Sequence, residues 1–197
     1  MSKRQLPEIN AGSMADIAFL LLIFFLVTTT MNSDSGILRK IPEKNIQTDK
    51  IIIKDKNFLE ININSKNELF IGDKIVKLDD LKEIAINFID NGVGLDKNNK
   101  PCDWCNGKKD LKSSDHPTKA FISINPNRET NYETYISVLD NINIAYAILR
   151  DNLAQKLYKT NYSSLIKLEQ TDKSKQEKTQ QKIKTIREKY PILVSDL

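Results

Sequence analysis

The chain has 197 residues, of which 40% are hydrophobic and 28% are charged, and its formal net charge is +4. This length suits one domain of ordinary size with appendages. Basic and acidic residues are interleaved rather than clustered, which argues against a dedicated nucleic-acid-binding protein. The hydrophobic residues, by contrast, are strongly segregated, since every residue from 17 to 27 is apolar.

Residues 11–31 are predicted to form a transmembrane helix in contact with membrane lipid. The apolar run alone is too short for a bilayer, which needs about 20 residues, but flanking small residues and threonines extend the helix to roughly 31 Å. A cleaved signal peptide is disfavoured, because an acid adjoins the apolar core and no Ala-x-Ala-like site follows. Lys3 and Arg4 predict that residues 1–10 are cytoplasmic and that the chain after residue 31 is exported, as in a single-pass inner-membrane protein.

Asp16 is the charged residue of this span. At 100° per residue, six residues share its side of the helix to within about 60°. They are Gly12, Ser13, Leu20, Ile23, Val27 and Thr30. An ionised carboxylate inside hydrocarbon is costly and normally faces a partner or a water-filled path. A carboxylate that is neutral and charged in turn is what a proton-driven device requires. The alternative is that Asp16 caps a shorter helix at the headgroup level.

The exported part is predicted to contain a linker over residues 32–50 and a small periplasmic α+β domain over residues 51–160, in which two helices cover a small sheet. Period-2 alternation predicts strands at 58–64 and 120–124, with a returning strand at 68–71. Apolar residues at helical spacing predict one helix opened by Asp79 as N-cap and another over 132–157.

Two further segments complete the predicted organisation. Residues 91–118 form an insertion rich in Asn, Lys and Gly, and residues 161–197 form a charged C-terminal helical extension. Because the extension is nearly all polar after Thr171, we expect a solvated or frayed helix there rather than a docked partner-binding helix.

Cys102 and Cys105, the two cysteines, are spaced as C-x-x-C within the insertion. In an exported segment a disulfide is the favoured interpretation. A thioredoxin-like redox site, a metal site completed by His116 with nearby aspartates, and free thiols remain alternatives. The sequence has no phosphate-binding Gly-rich loop, nucleophile elbow or H-E-x-x-H motif, so a classical enzyme is not expected.

The N-terminal segment resembles the membrane helix of the ExbD/TolR family. Ile9-Asn10 leads to Asp16, which directly precedes the run Ile-Ala-Phe-Leu-Leu-Leu-Ile-Phe-Phe-Leu-Val. In that family an Ile-Asn start is followed by an aspartate just before a long Leu/Ile/Phe run. Similarity continues over roughly residues 58–90 and 119–150, which resemble the family's first periplasmic hairpin and its next strand and helix. The insertion, the extension and Gly12-Ser13 in place of a common proline depart from the usual pattern and suggest a Bacteroidetes-type variant.

The resemblance implies a proton-motive-force-driven motor subunit without a cofactor, in which Asp16 carries the coupling proton. It also implies an ExbB/TolQ-like channel pentamer, a TonB-like energy transducer and a homodimer within the complex as partners. The alternative function is a passive membrane-anchored periplasmic interaction module without proton coupling. A weaker third hypothesis is a membrane-tethered thiol oxidoreductase that uses Cys102 and Cys105.

Overall fold

The computed structural model describes residues 11–28, 54–171 and 176–196, with only the backbone of residues 26, 27 and 196. The chain divides into two compact units, Met1–Asp49 and Lys50–Leu197. The segment predicted as a linker, 32–50, and the predicted cytoplasmic segment, 1–10, lie outside the described residues.

The first unit contains helix α1, Ala11–Thr28. Its apolar residues are consecutive, so they surround the helix instead of forming one stripe, and every described side chain is exposed. Within the described ranges, no helix has the length and apolar character needed to cross a membrane. The predicted span of residues 11–31 is described only as far as Thr28, because residues 29–31 lie outside the described part of the chain.

The second unit is built on a five-stranded mixed sheet in the order β3-β2-β1-β4-β5. Strands β1, β2 and β3 form an antiparallel meander, while β4 pairs parallel with β1 on one side and with β5 on the other. The strand bounds are Phe58–Ile63, Leu69–Ile71, Lys74–Val76, Phe121–Pro126 and Val194–Asp196.

Within the described part of this unit, four α-helices accompany the sheet: α2 (Leu78–Ile89), α3 (Tyr132–Tyr158), α4 (Tyr162–Thr171) and α5 (Gln176–Lys189). The core is a continuous cluster to which both the sheet and all four helices contribute. Fully buried members include Ile61, Leu81, Ile122, Tyr146 and Ile186. The predicted α+β class is therefore correct for this unit, although the sheet has more strands, and more helices pack beside it, than expected.

The alternation that predicted β1 has the expected cause, since Leu59, Ile61 and Ile63 all point into the core. The predicted capping of α2 by Asp79 is wrong. The helix begins one residue earlier, at Leu78, after Lys77 in an extended conformation. Leu78 packs against the core, which draws it into the helix, and Asp79 lies in the first turn, where a carboxylate favours the positive end of the helix dipole.

The expectation of a solvated or frayed C-terminal extension is wrong. Helices α4 and α5 and strand β5, together called the C-terminal arm, belong to the second unit. Ile183, Ile186 and Tyr190 recur at spacings of three and four, which gives α5 a narrow apolar stripe that is at most 2% exposed. Arg150 of α3 donates two hydrogen bonds to the Tyr190 carbonyl, at 3.1 and 2.7 Å. The domain thus continues well beyond the predicted boundary at residue 160.

Candidate functional site

The first candidate site is Asp16 on α1. Helix α1 is described from Ala11, so Asp16 lies inside it and is not its N-cap, while the level of Asp16 in a membrane stays a prediction. Since the backbone is helical over the whole range, Gly12 and Leu20, one turn away in each direction, lie on the same side as Asp16.

The remaining members of the predicted channel-facing side are described to different extents. Ser13 and Ile23 also fall on that side by helical spacing, and Ile23 is 41% exposed against 59% for Leu20. Val27 belongs to the helix, but only its backbone is described, and Thr30 lies outside the described residues. Near the helix end, Thr28 Oγ1 donates a hydrogen bond to the Phe24 carbonyl at 2.8 Å. The hydroxyl is therefore satisfied within its own helix.

The second candidate site is the insertion, residues 91–118, which is called the insert from here on. It has little regular structure, yet it is held by buried hydrogen bonds. The Asn91 amide donates to the carbonyls of Asp110 and Ser114, at 2.8 and 2.7 Å, and its oxygen accepts the Asp110 N–H. Ser114 Oγ donates to the Phe88 carbonyl of α2 at 2.7 Å. Because these side chains replace a regular backbone ladder, the insert is ordered without hydrophobic periodicity.

The end of the insert is tied to the start of β1. Asp115 receives a hydrogen bond from Asn57 Nδ2 at 3.2 Å and an ion pair from Lys56 at 2.5 Å, and its own N–H donates to Asn57 Oδ1. Burial raises the pKa of Asp115, but the hydrogen bonds from Lys56 and Asn57 outweigh it, so the net pKa is lowered. Asp115 is therefore a structural carboxylate.

Cys102 and Cys105 are joined in a disulfide, with their Cα atoms 5.6 Å apart. Trp104, between them in sequence, lies edge-to-face with His116, the ring centroids being 5.3 Å apart. The Lys189 ammonium of α5 lies 3.4 Å from the centroid of the Trp104 ring. The four-residue disulfide loop thus presents its tryptophan to the C-terminal arm.

His116 is buried at 1% exposure, and burial lowers its pKa. Its Nδ1 lies 2.8 Å from the Thr118 hydroxyl oxygen and 3.2 Å from the Thr118 backbone nitrogen. Both His116 Nε2 and Trp104 Nε1 are buried without a hydrogen-bond partner. The two rings pack against each other edge to face, with an interplanar angle of 86°.

The structure does not bring together the side chains of the alternative metal site, in which aspartates would join His116. Asp103 lies 3.9 Å from Lys189, and Asp110 and Asp115 serve the hydrogen bonds given above. Among the described residues, no group of three or more His, Cys, Asp or Glu side chains is arranged to hold a metal ion.

A buried carboxylate that the sequence did not single out links three elements. Asp90, at the end of α2, accepts a hydrogen bond from the Tyr190 hydroxyl at 2.5 Å and another from the Asn106 N–H of the insert at 3.0 Å. Burial raises the pKa of Asp90, opposed by these hydrogen bonds and by nearby Lys156. No local sequence pattern connects Asp90 with Tyr190, which is 100 residues away.

These features define a class of protein: a small α+β module that follows an exposed apolar helix bearing one carboxylate. The chain belongs to the ExbD/TolR family, since the family model described as Biopolymer transport protein ExbD/TolR matches residues 2–149. No curated protein matches the chain. The match includes α1 and the insert and ends inside α3, so the C-terminal arm lies outside it.

The family sets the coarse role of this chain, which is biopolymer transport. Its members are transport accessory proteins rather than enzymes and are typically anchored in the inner membrane. They generally work with ExbB/TolQ and TonB-like proteins.

Proposed function

We propose that this chain is the proton-carrying subunit of an inner-membrane motor of the ExbB/ExbD type. In this proposal α1, continued to residue 31, crosses the membrane inside an ExbB/TolQ-like channel pentamer as one helix of a homodimer. Asp16 alternately binds and releases a proton, and the exported domain passes the resulting motion to a TonB-like energy transducer that serves outer-membrane transport.

The observation that carries the proposal is a carboxylate within a helix whose apolar side chains are exposed all round. Phe19 is 61% exposed and Leu22 is 62% exposed, which is far more apolar surface than a monomeric soluble protein presents on one element. A channel-forming partner and lipid together would cover such a surface. The family match includes this helix, which adds support for a transport role.

The test is energy-dependent uptake of a TonB-type substrate by cells in which Asp16→Asn replaces the natural chain. Asn keeps the size and much of the hydrogen bonding but cannot titrate. We expect uptake to fall to the level of cells that lack the protein, with normal amounts of the chain in the membrane fraction.

Leu21→Ala is the matched control, because Leu21 lies about 140° from Asp16 on the helix and contributes only apolar surface. It should leave uptake close to wild type. Unimpaired uptake with Asp16→Asn would exclude proton coupling through Asp16 in this transport and would favour the passive anchored interaction module.

A further inference from the structure

The starting point is how closely the disulfide loop is seated on the end of α2. Gly92, which follows the helix, has a φ of +60°, and a Cβ there would lie 2.5 Å from Cys105 Cβ. Asn106 and Gly107, directly after the loop, donate backbone hydrogen bonds to Asp90 at 3.0 Å each, one to its carboxylate and one to its carbonyl. The loop therefore has no spare room on the side of α2.

On its other side the same loop contacts the C-terminal arm. Lys189 lies over the Trp104 ring and 3.9 Å from the Asp103 carboxylate. The next residue, Tyr190, donates its hydroxyl to Asp90, which also accepts the Asn106 N–H directly after the loop. The end of α5 is thus held next to the disulfide loop by a cation–π contact, an ion pair and a buried hydrogen bond, and its Tyr190 carbonyl also accepts two hydrogen bonds from Arg150.

Strand β5 directly follows this attachment in the chain. It has three residues and follows α5 after a short connection. It pairs with β4 through the register Ile122↔Val194 to Ile124↔Asp196, and the Ile122 N–H donates to the Leu193 carbonyl at 2.9 Å. So short an edge strand has little pairing energy of its own and opens readily unless the preceding element is fixed.

We propose that the Cys102–Cys105 disulfide is a redox-sensitive clasp that holds the end of the C-terminal arm in the sheet through Trp104, and that reduction loosens the end of α5 and releases β5. When the sulfur–sulfur bond is broken, the two thiols cannot stay at bonding distance. Since the close approach of Gly92 blocks movement of Cys105 toward α2, the loop can rearrange only on the side of the arm, and this rearrangement displaces Trp104 from its contact with Lys189. The edge of β4 then becomes available for pairing.

The reductant is a protein dithiol of the thioredoxin-like class, exported if the domain is exported. Its thiolate attacks Cys105 Sγ, because Cys105 is partly exposed whereas Cys102 is only 8% exposed. Cys102 leaves as a thiolate, which the Cys105 N–H already faces at 3.2 Å, and takes up a proton. The second thiol of the reductant resolves the mixed disulfide, so two electrons pass to this chain and the reductant ends as a disulfide.

Amide hydrogen exchange of the full chain in detergent micelles, with and without dithiothreitol, tests the clasp. Reduction should make the last turn of α5, β5 and the Ile122 amide exchange roughly ten-fold faster, while amides of the β1–β2 hairpin stay unchanged. Equal acceleration throughout the domain would mean that the disulfide merely adds general stability, and no acceleration in the arm would mean that it holds nothing. Either result overturns the proposal.

Substitutions distinguish the role of the Trp104 contact from that of the disulfide bond. Trp104→Ala, which keeps the disulfide, should release the arm in the oxidised protein, and reductant should then add little. Lys189→Met is a milder second variant and should give a partial release. Leu111→Ala, at a residue of the insert that is 77% exposed, should behave as wild type. If Trp104→Ala and Lys189→Met both leave α5 and β5 fully protected, Trp104 does not link the disulfide to the arm.

The direction of attack has its own readout. After brief reaction with glutathione and an acid quench, tandem mass spectrometry should find the mixed disulfide on Cys105. Glutathione on Cys102 would overturn the order of steps given above.

Discussion

Helix α1 and helix α5 contrast in a way that their compositions do not suggest. Every described side chain of α1 is exposed although the helix is almost wholly apolar, whereas α5 is almost wholly polar and buries Thr179, Ile183 and Ile186. The number of apolar residues therefore predicts the burial of neither helix. Burial depends on whether the rest of the chain offers a surface against which the helix can pack.

The comparison teaches where the partners of each helix are found. The partners of α5 belong to its own domain, and a stripe of few apolar residues is enough because Arg150 and the insert supply polar contacts. For α1, the exposed surface is one that other molecules would cover under the proposed function. The same substitution should thus destabilise the folded domain when it is made in α5 and leave the stability of the domain unchanged when it is made in α1.

Ile186→Ala should have the largest effect on the folded domain. Ile186 is fully buried, and truncation of such a side chain costs about 3 kcal/mol through lost transfer energy and the cavity left behind. The free energy of unfolding can be followed in urea by the fluorescence of Trp104, the single tryptophan, on the full chain in detergent. Ile23→Ala in α1 is the matched control and should leave this transition unchanged. Equal effects of the two substitutions would contradict the contrast.

Tyr190→Phe should have the next largest effect. It removes the hydroxyl that donates to the buried Asp90 carboxylate and leaves an acceptor unsatisfied, which costs about 1–3 kcal/mol. The aromatic ring is retained, so the loss in urea denaturation reports the hydrogen bond rather than the packing. A loss below a few tenths of a kcal/mol would mean that this hydrogen bond contributes nothing to the attachment of α5.

How far the sequence predicts the fold depends on the range of the interactions. β1 and the long helix α3 follow from local periodicity, because each buries one face, and β2 follows as the strand that returns from the turn after β1. Strand β4 is predicted to alternate, but Ile122, Ser123 and Ile124 are all buried, so both faces of the sheet are covered at this strand. β3 and β5 have three residues each, which is too short for a periodic pattern.

The candidate sites divide along the same line. The helix around Asp16 and the residues that share its side follow from sequence spacing alone. The meeting of Trp104, His116 and Lys189 does not, because it joins an aperiodic insert to a helix more than 70 residues away. Asp90 likewise receives its partners through tertiary contacts that no local pattern encodes.

Asp90→Asn should change how the stability of the domain depends on pH. Burial raises the pKa of Asp90 above its ordinary value of 3.8. At pH values between 3.8 and the folded-state pKa, the folded chain keeps a proton that the unfolded chain releases. This contribution is present below pH 3.8 and is lost as the pH rises through the folded-state pKa. Urea denaturation across this range should show wild-type stability falling relative to Asp90→Asn as the pH rises. A constant difference between the two proteins would contradict the shift.

Lys182→Met should have the smallest effect and tests whether cationic side chains of α5 add to its attachment. The Lys182 ammonium lies 5.2 Å from the centroid of the Tyr158 ring of α3, and such a contact at an exposed position contributes about 0.5 kcal/mol. Met keeps a flexible apolar side chain but removes the charge, so urea denaturation should detect a loss of that size. Lys178→Met changes the same charge at another exposed position of α5 and should cost less. If both substitutions lower the free energy of unfolding equally, the loss comes from the change in net charge. The contact between Lys182 and Tyr158 then adds no stability beyond that of the buried Ile183 and Ile186.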